Sequence, residues 1–150
     1  MIFCNTRNLS GNLTGVQRYT QEIVSRLDGR LVCTAPETSL NGFRGHLWEQ
    51  FVLPTKLGSN LLWSPSNTGP LSAEKQVVSI MDVSPLDHPE WSSRKFSSWY
   101  QFLLPRVIHR ARAVITISEF SRQRILHYCP KAAGKVHVTL LAADSRDRKS

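Results

Sequence analysis

The sequence contains no apolar run approaching the roughly 20 residues that a membrane helix needs, and its first residues lack the basic, apolar and small-residue succession of a signal peptide. No membrane-spanning helix is expected within these residues, while peripheral membrane contact stays open. Its three cysteines, Cys4, Cys33 and Cys129, lack metal-ligand spacing and are odd in number. Two of them sit in apolar, strand-like runs, so buried reduced thiols and a cytosolic setting are expected. Neither G-x-G-x-x-G nor G-x-x-x-x-G-K-[ST] occurs, so the two commonest phosphate-loop signatures are missing. RNP-type aromatics, zinc-finger spacing, a helix-turn-helix signature, internal repeats and low-complexity tracts are also missing. Acidic residues are scarce, 11 against 19 Lys and Arg, and the formal charge of +8 implies an anionic partner. Nucleic acid, acidic headgroups and nucleotide phosphates all satisfy that charge, but without a nucleic-acid motif the first is the minor alternative. Arg106, Arg110, Arg112, Arg122 and Arg124, with Arg146, Arg148 and Lys149, carry much of the excess, at spacings that also describe solvated helix faces. His46, His109, His127 and His137 show no metal-ligand grouping, and neither a metal nor a function is assigned to them.

What is present reads as alternating strands and helices in one domain of 150 residues. Gln76 to Met81 and Ala113 to Ser118 are short, β-branched and apolar at consecutive positions, the pattern of strands covered on both faces. Between them DVSPLDHPEW is a Pro-punctuated loop, followed by a helix from about Ser93 to Arg112. Phe96, Trp99, Tyr100, Leu103, Val107 and Ala111 form its apolar stripe, and Pro105 predicts a kink near Gln101 to Leu104. Ser118 is placed to cap a further helix, with Glu119 in its first turn. Earlier, MIFCN reads as a strand and TRNLSGNLT as a polar loop. Thr14 and Gln17 then form a capping box on a helix whose buried face is Val16, Tyr19, Ile23 and Leu27. Arg30 to Ala35 is a second strand, HLWEQFVLP a short helix stopped by Pro54 with Trp48 and Phe51 as core anchors, and Asn60 to Trp63 a third strand. Lys135 to Leu141 is the last. The expected fold is α/β, a doubly wound, mostly parallel, Rossmann-like sheet over residues 1–143, with 144–150 a polar tail. Three loops, Asn8 to Gly15, Ser64 to Leu71 and Asp82 to Trp91, should meet on the carboxyl edge of that sheet, where ligands of open α/β folds bind.

The N-terminus of the first helix can receive a phosphate, because its free N–H groups point outward and Gly15 permits close approach. A glycine needed only for a tight turn before a capped helix is the competing explanation. Asp82 is either an acceptor-site carboxylate or the cap of an Asx turn holding DVSP. With no second carboxylate in register, it gives no support for glycoside hydrolysis.

LTGVQRYTQEI (Leu13 to Ile23), LWEQFVLP (Leu47 to Pro54), LLWSPSNTGPL (Leu61 to Leu71), DVSPLDHPEW (Asp82 to Trp91) and ARAVITISEFSR (Ala111 to Arg122), in that order, resemble the N-terminal domain of family 4 glycosyltransferases, the mannosyltransferase-like enzymes of bacterial surface-polysaccharide assembly. The resemblance runs through almost the whole chain. It implies a retaining, metal-independent GT-B enzyme with no cofactor beyond its GDP- or UDP-linked sugar donor, moving a hexosyl or mannosyl unit to a saccharide or lipid-linked acceptor. It places Thr14, Gly15 and Val16 against the donor diphosphate. Met81, Asp82, Ser84 and His88 line the sugar and acceptor site, with Asp82 and His88 as the catalytic candidates, and Ser118 and Glu119 face the same cleft. Family members commonly carry His immediately before that Asp, where this chain has Met81, a thioether that donates no hydrogen bond. The C-terminal donor-binding domain of the family has no counterpart in the sequence, which is expected to be the acceptor-binding half, working with a donor domain in trans and tending to self-associate. The expected setting is cytoplasmic, with peripheral contact at the inner face of the membrane. The rival readings are a catalytically silent Rossmann-like binding or scaffold protein and, on charge alone, a nucleic-acid-binding module.

Overall fold

A computed structural model describes residues 1–142. The final cluster of Arg146, Arg148 and Lys149 and the tail 144–150 lie outside the described residues. Runs of β-branched and apolar residues form six strands: β1 (Ile2–Asn5), β2 (Leu31–Thr34), β3 (Leu61–Ser64), β4 (Gln76–Ser79), β5 (Ala113–Thr116) and β6 (Val136–Val138). They make one sheet in the order β2-β1-β3-β4-β5-β6, and every neighbouring pair is parallel. The fold is Rossmann-like and doubly wound, with chain direction across the sheet reversing between β1 and β3.

Helices α1 (Gly15–Arg26), α2 (Phe43–Leu47), α3 (Leu53–Leu57), α4 (Ser84–Asp87), α5 (Arg94–Arg110) and α6 (Glu119–Tyr128) connect the strands, whereas β3 passes to β4 through a loop alone. The pleat assigns them to layers, since consecutive strand residues face opposite ways. Leu62 packs with Trp48, Leu53 and Leu57, and Val78 and Val114 pack with Leu103, Leu104, Val107, Ile108 and Ile125, so α2, α3, α5 and α6 share one face. On the other, Tyr19 of α1 meets Trp63 edge-on at 6.4 Å between centroids, and its hydroxyl lies 3.3 Å from Ser79 Oγ. The expected buried face of α1 is only half-buried at Val16, Tyr19, Ile23 and Leu27, and Thr20 alone is fully enclosed.

Local signals held where they were chemical. Thr14 and Gln17 form the capping box, Ser93 Oγ accepts from Phe96 N at 3.3 Å, and Ser118 Oγ accepts from Ser121 N at 3.0 Å to start α6. Four expectations are corrected by packing. Pro54 does not stop a helix: α2 widens into a π-helical turn (Trp48–Val52), in which Leu53 N bonds Trp48 O, and this i→i+5 spacing carries the chain into α3 with proline in its first turn. Of the two anchors, Trp48 is buried but Phe51 is 71% exposed. Of the expected α5 stripe Tyr100, Leu103, Val107 and Ala111 are buried, but Leu104 and Ile108 join them fully buried and Phe96 is exposed; Pro105 lies within the helix, with Arg106 Nη1 donating to Phe102 O at 2.6 Å beside it. Cys4 is buried, its thiol pushed up to about 12 by desolvation, but its register partner Cys33 is exposed. The last strand is also shorter than expected, and Leu140 and Leu141 are exposed. Among the described residues no helix is long and apolar enough to cross a membrane.

This burial pattern has a measurable consequence. Leu104→Ala should lower stability by about 2–5 kcal/mol, while Phe51→Ala should stay within about 0.5 kcal/mol, as read from urea unfolding.

Candidate functional site

Because all six strands are parallel, their carboxyl ends share one edge, and the loops leaving β1, β2, β3 and β4 enclose an open cavity of about 470 Å³ there. Thr14 and Val16 at the start of α1, Ser66 and Asn67 after β3, and Asp82 and Ser84 after β4 all border it. The three loops expected to converge therefore do, joined by an unanticipated fourth wall, Leu40 to Gly42 after β2. Gly15, at the first position of α1, does not line this cavity: it borders a separate one shared with Tyr19 and the segment after β6, and a Cβ there would meet nothing within 4 Å, so packing does not demand glycine.

The remaining expected site residues stand back from this cavity. Met81 is buried and braces the rim: its amide donates to Asn67 Oδ1 at 2.6 Å and its carbonyl accepts from Ser121 Oγ at 2.9 Å. His88 stacks on Trp91 with centroids 3.9 Å apart, places Nδ1 3.2 Å from Glu90 Oε1, and does not line the cavity. Ser118 is occupied in capping α6, and exposed Glu119 pairs with Arg122 at 3.1 Å. Asp82 Oδ1 accepts from Ser84 N at 2.9 Å, the Asx turn anticipated for DVSP. The far end of the same loop is latched to α6 by Asp87, which accepts from Arg124 Nε at 3.1 Å and Tyr128 OH at 2.7 Å; the Arg124 hydrogen bonds hold its carboxyl below the usual range.

Beneath the cavity is a polar cluster that sequence reasoning missed. Glu49 is completely buried. Its Oε1 accepts from Asn5 Nδ2 and its Oε2 from Thr68 Oγ1, both at 2.7 Å, tying the π-helical turn to the end of β1 and to the β3–β4 loop. Arg7 Nη2 lies 3.7 Å from Glu49 Oε1 and His46 Nδ1 4.0 Å from Oε2. Desolvation raises the carboxyl's pKa, opposed by Arg7 and by the two donors. His46, edge-on to Trp99 and Tyr100, is driven down to about 4 by burial and then by Arg7, and is neutral at pH 7. Burial, then the Glu49 charge, raises Tyr100 to about 12. The visible signal was His46 and Glu49 three residues apart, one helical turn, beside Trp48.

The neighbouring Gln50 grips the same loop, donating from Nε2 to Gly69 O at 2.9 Å and accepting from Leu71 N at 3.0 Å. Gln76 Nε2 donates to Pro70 O at 3.0 Å. Asn67 adopts a left-handed φ of 60°, a conformation asparagine tolerates, which fits its amide to Ser79 O at 3.0 Å. Asn67 to Leu71 is thus held residue by residue. Among the described residues no three His, Cys, Asp or Glu side chains gather to ligate a metal. Comparison with family models, curated proteins and solved structures finds no match.

Two outcomes follow from this geometry. A Cβ on Gly69 would run into Gln76 Oε1, so Gly69→Ala should cost about 1–3 kcal/mol in urea unfolding. For His46 the folded value is depressed from 6.5 to about 4, so the unfolded chain takes up the proton first and the wild type should lose stability across that window as pH falls. His46→Gln should flatten this limb in unfolding midpoints taken from pH 7 downward; Glu49, shifted upward, favours the fold at acid pH and does not mimic the effect.

Proposed function

We propose that this chain is the acceptor-binding half of a retaining, nucleotide-sugar-dependent glycosyltransferase that moves a hexosyl or mannosyl unit onto a polysaccharide or lipid-linked saccharide. The observation that carries the reading is the meeting of two chemistries at one cavity: the N-terminus of α1, with Thr14 and Val16, and the loop bearing Asp82 and Ser84. Gly15 borders a separate cavity with Arg18 and Tyr19, so its approach to the donor rests on the resemblance, and packing leaves room for a Cβ there. In this reading the α1 amides and dipole attract the donor diphosphate. Asp82 Oδ2, which makes no hydrogen bond among the described residues, receives an acceptor hydroxyl while Oδ1 is fixed by Ser84. His88, turned to Trp91 and Glu90, is left out of the chemistry. A donor-binding domain across the cleft completes the site, since the leaving diphosphate needs preorganised charge and the reacting carbon needs shelter from water.

The test is hexosyl transfer from GDP- and UDP-sugars to saccharide acceptors, with a donor-binding domain supplied in trans. Asp82→Asn should reduce transfer by about 100-fold or more with the unfolding midpoint unchanged. Gly15→Ala should weaken donor use while leaving stability intact. Absence of transfer in every combination would overturn the reading, and saccharide binding without transfer would favour a silent binding protein instead.

A further inference from the structure

Among the described residues Arg7 is the one arginine or lysine on the cavity wall, and its side chain is only 15% exposed. A guanidinium carries five N–H donors, and burying them unpaired is costly. Within the described residues this one makes no side-chain hydrogen bond: Nε is buried without a partner, and Nη2 stays 3.7 Å from Glu49, beyond hydrogen-bond range. The carboxyl does not need it, because both Glu49 oxygens are taken by the neutral donors Asn5 and Thr68. Arg7 therefore balances a buried charge at a distance while its fork remains unused. Its place is specifically made, since a Cβ on Gly45 would come within 2.5 Å of Nη1. Beside it, Asn8 Nδ2 donates to Thr20 Oγ1 at 3.1 Å, and Thr20 donates onward to Val16 O, which fixes the amide and leaves Asn8 Oδ1 a buried, unpaired acceptor on the same wall. Tyr100 and Phe96 add aromatic surface.

A free guanidinium fork, a free acceptor and aromatic rings in one cavity describe an acidic carbohydrate. We propose that Arg7 binds an oxyanion, the carboxylate or phosphate ester of an acidic acceptor sugar, while Asn8 Oδ1 accepts from a neighbouring ring hydroxyl. Planar two-pronged oxyanions match the arginine fork, so charge-assisted bonds form where water would otherwise have to serve. The inference rests on the acceptor-side reading of this cavity but specifies its substrate class.

Titration of the isotopically labelled chain with glucuronate, inorganic phosphate and glucose, followed by NMR, tests it without any transfer step. The expected result is saturable binding of glucuronate, phosphate or both, about tenfold tighter than glucose, with shifts centred on Asn8, Gly42 and Tyr100. Whichever acidic probe binds identifies carboxylate or phosphate as the recognised group. Arg7→Gln combined with Glu49→Gln leaves no buried charge unpaired and should abolish the preference; Glu49→Gln alone should keep it. Gly45→Ala, which displaces the guanidinium without altering charge, should weaken acidic probes in the same way. Equal binding of glucose, no binding of either acidic probe, or a preference surviving in the double variant would overturn the proposal. Acidic-sugar binding in a protein that never supports transfer would instead sink the acceptor-side reading alone.

Discussion

The carboxyl group of Glu49 is the constraint on which the rest of this structure depends. Placed in the interior without water, it had to be met by donors from distant parts of the chain, and Asn5, Thr68 and the more remote Arg7 meet it. Asn5 and Arg7 come from the end of β1 and the turn after it, Thr68 from the loop after β3 and Glu49 itself from the helical segment after β2, so one buried group fixes these three segments relative to one another. Removing Asn5 or Thr68 would leave one carboxyl oxygen without its hydrogen-bond donor, which makes the arrangement costly to loosen.

That rigidity suits an edge built of loops. An open parallel sheet delivers its strand ends to one side, but loops alone would hold a cavity loosely. Here the β3–β4 loop is gripped by Glu49, Gln50 and Gln76, and the β4–α5 loop by Asn67, Ser121 and Arg124. Asp82 and Ser84, which border the cavity, therefore sit on braced backbone. Arg7 and Asn8 keep unsatisfied polar atoms in the midst of this well-bonded surround, as His46, Trp99 and Thr116 also do among the described residues.

The fold was legible because its signals are local. Apolar runs such as QVVS and AVIT mark strands in a short window, and Thr14, Ser93 and Ser118 announce helix starts through their own hydroxyls. The convergence of loops followed from parallel topology without any side-chain detail. What stayed hidden depends on partners far away in sequence. Phe51 and Trp48 look alike in the primary structure, yet only one meets Leu62; Leu104 and Ile108 are buried because they pack into the core with Val78 and Val114 of the sheet, an orientation that periodicity alone leaves free by one position. Glu49 was hardest to see, since an acidic residue in an amphipathic helix ordinarily faces water and nothing within four residues reveals Asn5 or Thr68.

The widened turn before Pro54 has a further meaning. With more residues per turn, consecutive side chains diverge less in azimuth, and Glu49 and Gln50 can both reach the same stretch, at Thr68 and at Gly69 and Leu71. A regular α-helix swings adjacent residues further apart and would release one of the two grips. Deleting a single residue there would yield a smoother, better-bonded helix and a slacker cavity, so the irregular winding is retained against the helix's own preference.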